Sequence, residues 1–340
     1  MNTDVKKINS KNVLRFVGDN AILICLFILI IVIAMINPRF LSFQVARDIL
    51  LQNATRLIIA CGMAFVLISG GVDLSAGRTV GLAAVITASL GQTMEYARRF
   101  YPNFGDVPII VPILIAIIVC AMVGFFNGIV IAKFSIPPFI VTLGSMVAVW
   151  GVNLLYFDIK PNSSQPIGGI KKSITYLGSG LLLGDIIPVI IVIAILVVLL
   201  NWFVLKRLRF GRNVYAVGGN PEAAMVSGIK VGGTLVGVYT IAGALYGFAG
   251  VLECARTGGA TSAYGNGYEL DAIAACVVGG VSNTGGIGTI PGMVLGVFIF
   301  GIINYGFTFV GINPYWQLII KGLIIILAVG LDIRKNLKRR

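Results

Sequence analysis

Histidine is absent from the 340-residue sequence, and charged residues make up only 11% of it. Because histidine is the side chain that most often binds metals and transfers protons near neutral pH, its absence argues against a metal centre or an acid–base active site. Soluble domains carry roughly 25% charged residues, which is well above this content. Together with a mean hydropathy of +0.96, the composition predicts a membrane protein with several apolar spans.

Two sequence motifs that would indicate chemistry are also missing. No G-x-x-x-x-G-K-[ST] phosphate loop occurs, so the chain is not expected to hydrolyse ATP by that route. No C-x-x-C pair occurs either, so the cysteines are interpreted as small apolar residues rather than redox or zinc-binding groups. We therefore predict no catalytic residue and no metal site. The five widely spaced cysteines are Cys25, Cys61, Cys120, Cys254 and Cys276.

Apolar stretches predict an all-α, polytopic membrane protein with about ten transmembrane helices in a single domain over residues 1–340. The first stretch has no small-residue cleavage pattern, so it is expected to be a retained span rather than a signal peptide. The third and eighth spans are short and flanked by glycine, as the broken helices of a translocation path often are. The predicted spans are Asp19–Ile36, a second span that ends near Gly70, Thr79–Leu90, Pro108–Ile131, Phe139–Phe157, Ile186–Leu205, Val231–Leu252, Leu270–Ser282, Pro291–Val310 and Leu318–Ile333.

The distribution of lysine and arginine predicts the orientation of these spans. With both termini in the cytoplasm, 16 cationic side chains fall inside and 8 outside, and the opposite orientation would reverse this bias. Because cytoplasmic loops are enriched in lysine and arginine, we predict an N-in/C-in topology. The net charge of +13 is then explained without nucleic acid as a partner. This count places Arg78 inside, Arg256 outside and the polar segment Lys206–Lys230 in the cytoplasm.

The second half of that cytoplasmic segment has the sequence of a short capped helix. Asn220 is a favoured N-cap, Pro221 suits the first helical position, and Glu222 complements the positive N-terminus of a helix. Gly228 can end the helix in a left-handed conformation. About seven helical residues are too few to be stable alone in water. Since Ala223 and Ala224 have almost no side chain, we interpret this helix as one that docks closely on a partner.

Asp73 lies in the polar interruption Gly70–Arg78 between the second and third spans. Deep in a bilayer an aspartate costs about 2.5–3.5 kcal/mol, so it would be expected to face a cavity or a polar partner. Glycines would allow the backbone to unwind there, provided that it lines protein or water. The alternative is that Asp73 or Ser75 caps the third span and that Arg78 faces the cytoplasm.

Three further polar residues lie in or beside the spans. Glu269 and Asp271 flank the start of the eighth span, near Arg256 and Tyr268. They can complement the helix dipole and form a surface ion pair, or they can line the outer mouth of a path. Asn127 lies inside the fourth span, where an amide serves either a sugar path or helix packing.

Several of these motifs, taken in order, resemble the permeases of bacterial ATP-binding-cassette (ABC) sugar importers of the ribose, xylose, arabinose and galactose branch. The first set is Gly70–Gly77, Asn127-Gly128, Pro138–Gly144 and Gly218–Ala224 with Gly228. A second set looks most like the galactose and methyl-galactoside importers within that branch: Tyr268–Ser282 and Asn313–Gln317.

The resemblance implies a ten-span permease of the bacterial inner membrane that pairs with a second copy of itself in the lipid. It also implies a periplasmic sugar-binding protein and a separate cytoplasmic ATPase, which binds the ATP and Mg. The Glu222-Ala223-Ala224…Gly228 segment matches the place where such permeases contact their ATPase. Within the coupling segment, residues 206–230, we predict that the ATPase-coupling residues are Arg212, Asn220, Pro221, Glu222, Ala223, Ala224 and Gly228. As a hypothesis, the sugar path is formed by Asp73, Ser75, Asn127, Thr142, Glu269 and Asp271.

Two other transport mechanisms are compatible with a polytopic chain. A secondary transporter driven by an ion gradient also uses broken helices, although the lack of histidine and the scarcity of carboxylates within spans weaken that reading. A passive channel would need neither an ATPase nor a binding protein. Only the predicted docking helix argues against it.

Overall fold

The computed structural model describes residues 21–182 and 186–337, which are mostly helical. A 3-10 turn (Pro38–Leu41) follows the first helix, and two short strands, β1 (Leu181–Leu182) and β2 (Ile187–Pro188), pair antiparallel. The α-helices in these two ranges are α1 (Ala21–Ile36), α2 (Phe43–Ile68), α3 (Ala76–Leu90), α4 (Ile110–Phe134), α5 (Pro138–Phe157), α6 (Lys172–Ser179), α7 (Val189–Arg207), α8 (Arg209–Gly219), α9 (Pro221–Val226), α10 (Val231–Thr257), α11 (Tyr268–Val278), α12 (Ile290–Val310) and α13 (Pro314–Leu337).

Each predicted span coincides with one of these helices, so the chain is a mostly helical, polytopic membrane protein. Six helices in the described ranges are long and apolar enough to cross a membrane: α2, α4, α5, α7, α10 and α12. The predicted cytoplasmic N-terminus, the first two residues of span one, Asp185 and the last three residues of the basic tail lie outside the described residues.

Helix α10 occupies the centre of the fold and lies against α2, α3, α4, α6 and α8. Its contact with α4 is close because glycines of both helices meet the backbone of the other. A Cβ atom on Gly124 would collide with the carbonyl oxygen of Tyr239, and one on Gly243 would collide with that of Cys120. Small residues of this kind let membrane helices approach and gain dispersion energy. The close packing holds α10 rigidly beside the non-helical segment between α2 and α3, which we call the α2–α3 break.

Helices α3 and α11 are too short to cross a bilayer alone, as the predicted short spans indicated. Their 15 and 11 residues correspond to about 22 and 16 Å, against a hydrocarbon core of about 30 Å. The first turns of the two helices meet inside the protein, where Gly77 of α3 lies directly against the Glu269 carboxylate. Two helix N-termini are thereby brought together. Asp73 and Ser75 lie just before α3, and Glu269 and Asp271 lie in the first turn of α11.

The sides predicted for Arg78 and for the stretch before α11 cannot both be right, because the structure brings the two into contact. Its guanidinium donates a 2.8 Å hydrogen bond to Oδ1 of Asn266 and lies 4.6 Å from the centre of the Trp150 ring. Asn266 belongs to the polar stretch that precedes α11, which was assigned to the opposite side from Arg78. Because two residues in contact lie at a similar depth in the membrane, Arg78 lies at about the depth of the start of α11.

Three elements were not predicted from the sequence: α6, α8 and the β1–β2 pair. Helix α8 buries Gly211, Val214 and Val217, a spacing of three residues that is typical of one helical face. Its glycines obscured this pattern, because glycine has a low helix propensity. The predicted docking helix is therefore the second of two consecutive short helices.

Candidate functional site

The break between α2 and α3 begins at a glycine-based helix end. Gly70 adopts a φ of +83°, and its N–H donates to the carbonyl of Leu67 at 2.9 Å while that of Gly71 donates to Val66 at 3.0 Å. This pair of hydrogen bonds ends a helix in the manner of a Schellman motif. The chain then continues without helical structure as far as Ser75, inside the protein.

Asp73 is buried in this break and holds its local geometry. Its Oδ1 accepts hydrogen bonds from the backbone N–H of Ser75 at 2.9 Å and from the Ser75 hydroxyl at 2.6 Å. Asn127 of α4 donates to the same hydroxyl oxygen at 3.1 Å. Three residues predicted for the sugar path are therefore in contact. Asp73 also satisfies an N–H at the start of α3, as the capping alternative expected, whereas the Ser75 side chain makes no capping bond.

Thr142 of α5 and Tyr239 of α10 hold the backbone of the break from two sides. The Thr142 hydroxyl oxygen accepts from the Leu74 N–H at 3.1 Å and lies within donating distance of the Pro138 and Val72 carbonyls, at 2.9 and 3.2 Å. The Tyr239 hydroxyl is 3.5 Å from the same Val72 carbonyl. Unwound backbone inside a membrane protein needs such partners because no water reaches it.

The start of α11 carries a buried ion cluster that joins three helices. Asp271 lies between Arg56 of α2 and Lys321 of α13, with nitrogen–oxygen distances of 3.5 and 2.6 Å. Arg56 is near the middle of α2, and its guanidinium also lies 5.9 Å from the centre of the Tyr268 ring. The surface ion pair considered for Asp271 is wrong, because the residue is only 8% exposed.

Glu253 forms a second buried network of hydrogen bonds, which was not predicted from the sequence. It is 3% exposed, and it accepts hydrogen bonds from Thr55 at 3.0 Å, from Arg256 at 2.7 Å and from the Tyr268 hydroxyl at 3.1 Å. The sequence placed Glu253 in a polar outer stretch because α10 was expected to end at Leu252. The helix continues to Thr257, which carries Glu253 and Arg256 along the helix to face α2 and α11.

Glu269 connects the two halves of the predicted path. It is 9% exposed and contacts Gly77 in the first turn of α3. Its Oε2 atom has no hydrogen-bond partner among the residues that the structure describes. Asp73 bonds to Ser75 and Glu269 contacts Gly77, so both carboxylates lie at the N-terminus of α3. The positive end of that helix favours both carboxylates.

Helix α9 has the predicted capping geometry. Oδ1 of Asn220 accepts from the Ala223 N–H at 2.9 Å, and Pro221 and Glu222 occupy the first turn. Gly228 has a φ of +82°, and its N–H donates to the Met225 carbonyl at 3.0 Å. The predicted C-terminal glycine cap is therefore confirmed.

The exposure of α9 differs from the prediction at one position. Ala223 is exposed, but Ala224 is 4% exposed and packs within this chain. Ala224 is therefore not part of a surface for an external partner, because α9 also lies against α8 of this chain. The free surface of α9 instead presents two apolar side chains, Met225 and Val226. Arg212 of α8 is also exposed, on the helix that supports α9.

Comparisons with known proteins agree with this architecture. The profile of the family described as "Branched-chain amino acid transport system / permease component" matches residues 45–329. The galactose/methyl galactoside import permeases of Escherichia coli K12 and Haemophilus influenzae are 45% and 49% identical over 335 and 324 residues, which cover 98% and 95% of this chain and 99% and 96% of theirs. The ribose import permease of Bacillus subtilis is 36% identical over 338 residues, covering 99% and 98%.

A search of solved structures found no match. The matched region runs from the first turn of α2 into α13, so it includes the α2–α3 break, the ion cluster and helices α8 and α9. A profile that covers this much of the chain, and relatives of this identity over nearly its full length, establish the family. The chain therefore belongs to this family of transport-system permease components and is a multi-pass protein of the inner membrane.

Proposed function

We propose that this permease is the membrane subunit of an ATP-driven importer that moves galactose or methyl galactosides into the cytoplasm. The observation that carries the proposal is the identity of 45–49% to galactose/methyl galactoside import permeases, against 36% to a ribose import permease. The chain itself is non-catalytic, and a separate cytoplasmic ATPase binds and hydrolyses ATP with Mg. A periplasmic binding protein delivers the sugar.

Within this proposal the chain has ten spans, both termini in the cytoplasm and a second copy as its partner in the membrane. When Arg78 is no longer counted among the cytoplasmic residues, the distribution of lysine and arginine still favours this orientation. Helices α3 and α11 contribute half-spans whose N-termini meet near the middle of the protein. The sugar passes close to this meeting point, where Asp73, Asn127 and Glu269 offer hydrogen-bonding groups in an otherwise apolar interior.

Helix α9 is the site at which the ATPase acts. Its capped ends fix a short rigid helix, and its tip exposes Met225 and Val226, which are 63% and 90% exposed. Large apolar side chains exposed together on a cytoplasmic helix mark a surface for a protein partner. Closure of the ATPase would move this helix and, through α8, the spans behind it.

The decisive experiment measures uptake in vesicles that contain the permease with its ATPase and receive sugar-loaded binding protein. Labelled galactose should accumulate only with ATP inside the vesicles, and excess unlabelled methyl galactoside should compete while ribose should not. Accumulation that an uncoupler abolishes at constant ATP would contradict the ATP-driven mechanism and favour an ion-gradient transporter. Equal competition by ribose would contradict the proposed cargo.

A further inference from the structure

Three separate stretches of backbone meet at glycines inside the protein. They are Gly70 at the end of α2, Gly218 in the last turn of α8, and Gly285-Gly286 in the connection from α11 to α12. A Cβ atom on Gly218 would collide with the carbonyl oxygen of Ile68 and lie 2.7 Å from the Gly286 nitrogen. A Cβ on Gly285 would lie 2.8 Å from Cα of Gly70. We call these four residues the glycine junction.

Hydrogen bonds tie the same three stretches together. The Gly286 N–H donates to the Ile68 carbonyl at 2.8 Å, which joins the α11–α12 connection to the last turn of α2. The Tyr215 hydroxyl of α8 donates to the Gly288 carbonyl at 2.7 Å. Helix α8 therefore has a steric contact with α2 and both a steric contact and a hydrogen bond with the α11–α12 connection.

The junction lies next to the α2–α3 break and next to the connection between α11 and α12, which we call the α11–α12 break. These two breaks begin in the same way. Gly280 has a φ of +84°, against +83° for Gly70. Its N–H and that of Val281 donate to the carbonyls of Val277 and Cys276, both at 2.9 Å, in the same pattern as at the end of α2. Asp73 follows Gly70 by three residues, so the junction is also adjacent to the proposed sugar path.

We propose that the glycine junction positions both helix breaks according to the location of α8, so that movement of α8 and α9 changes α2 and α11 together. The inference rests on the proposed docking of the ATPase on α9. Backbone atoms in direct contact leave no space to absorb a displacement, because packed interiors are rigid. A shift of the last turn of α8 must therefore move Ile68 and Gly286 with it. Gly218 and Tyr215 are positioning residues in this scheme.

The neighbouring residue offers a matched control for this inference. A Cβ on Gly219 would meet no atom within 4 Å, although Gly219 lies in the same helix and is the next residue in the chain. Gly218→Ala and Gly219→Ala make the same chemical change and have the same effect on helix propensity. Only the first places an atom inside the junction.

The test compares these variants and Tyr215→Phe in vesicles with the ATPase and the sugar-loaded binding protein. Three quantities are measured: the amount of ATPase that copurifies, ATP hydrolysis stimulated by the loaded binding protein, and sugar uptake. Gly218→Ala and Tyr215→Phe should retain the ATPase but lower uptake per ATP hydrolysed by about fivefold or more. Gly219→Ala should match the wild type in all three.

Uptake per ATP that is unchanged in Gly218→Ala would overturn the inference while the proposed function stands. If Gly218→Ala fails to insert, Tyr215→Phe decides, because it removes one hydroxyl group without adding any atom. Unchanged coupling in that variant would equally overturn the inference. Failure of the wild-type permease to bind the ATPase would instead contradict the proposed function, whichever variant is examined.

Discussion

Replacement of Asp271 by asparagine should be far more damaging than the loss of either of its cationic partners. The carboxylate lies between Arg56 and Lys321, at 3.5 and 2.6 Å. Its removal leaves two cations side by side in a low-dielectric region with no anion between them. Lys321→Met leaves Asp271 paired with Arg56. Asp271→Asn should therefore destabilise the protein more than Lys321→Met.

The loss of unfolding free energy follows from the burial of the three side chains. Breaking a buried ion pair by removing one partner costs about 3–5 kcal/mol. The Arg56 and Lys321 side chains are not fully buried, at 28% and 21% exposed, so we expect a somewhat lower cost, about 2–4 kcal/mol, for Asp271→Asn. Lys321→Met should cost about 1 kcal/mol, which is typical of a partly exposed pair whose anion keeps another partner.

The assay is equilibrium unfolding of the purified permease in detergent for the two single variants and the double variant. Because Lys321→Met removes one of the two stranded cations, the double variant should cost less than the sum of the single variants by about 1 kcal/mol or more. Asp106→Asn is the control, because Asp106 pairs with Lys171 but its side chain is 71% exposed. It should cost less than about 1 kcal/mol. Additive single effects, or an Asp271→Asn cost equal to that of the control, would refute the reasoning.

Four further predictions concern helix α9 and the α2–α3 break. Ala223→Arg should leave insertion intact and abolish copurification of the ATPase, because position 223 is exposed; normal uptake would contradict docking at α9. Ala224→Arg should in addition loosen α9 from α8, since residue 224 is buried, and increased protease cleavage of the α8–α9 region would report it. Asp73→Asn keeps an acceptor oxygen for the Ser75 N–H, so we expect normal protein levels and reduced uptake. Unchanged uptake in that variant would leave Asp73 only its capping role. Thr142→Val removes the acceptor for the Leu74 N–H and should lower stability by about 1–3 kcal/mol, as measured by thermal unfolding.

The apolar spans and the two ends of α9 were predictable because their causes are local. An apolar run of about 20 residues is long enough to cross a bilayer wherever it occurs in a chain. The cap at Asn220 depends on a side chain that reaches an N–H three residues on, and the end at Gly228 depends on a backbone conformation that glycine adopts readily. None of these features requires knowledge of what lies opposite in the fold.

The composition of the candidate site was predicted only in part. Asp73, Ser75, Asn127 and Thr142 were chosen together and do meet at the α2–α3 break, although whether they line a sugar path stays a prediction. Their contacts were not predictable, because α3, α4 and α5 had no known arrangement. No partner for Arg56 or Lys321 could be assigned from the sequence.

The sequence by itself determined that this is a polytopic helical membrane protein, roughly where its apolar spans lie and how α9 begins and ends, since apolar length and helix-end chemistry act over a few residues. Only the tertiary structure decided that Asp271 joins Arg56 and Lys321, that Arg78 lies beside Asn266, and that Gly218 touches two helix breaks. Those contacts join residues that are 50 or more positions apart. They depend on how closely α8, α11 and α13 approach α2, and on which face each helix presents. Helix packing sets that approach, and it is a property of the whole chain.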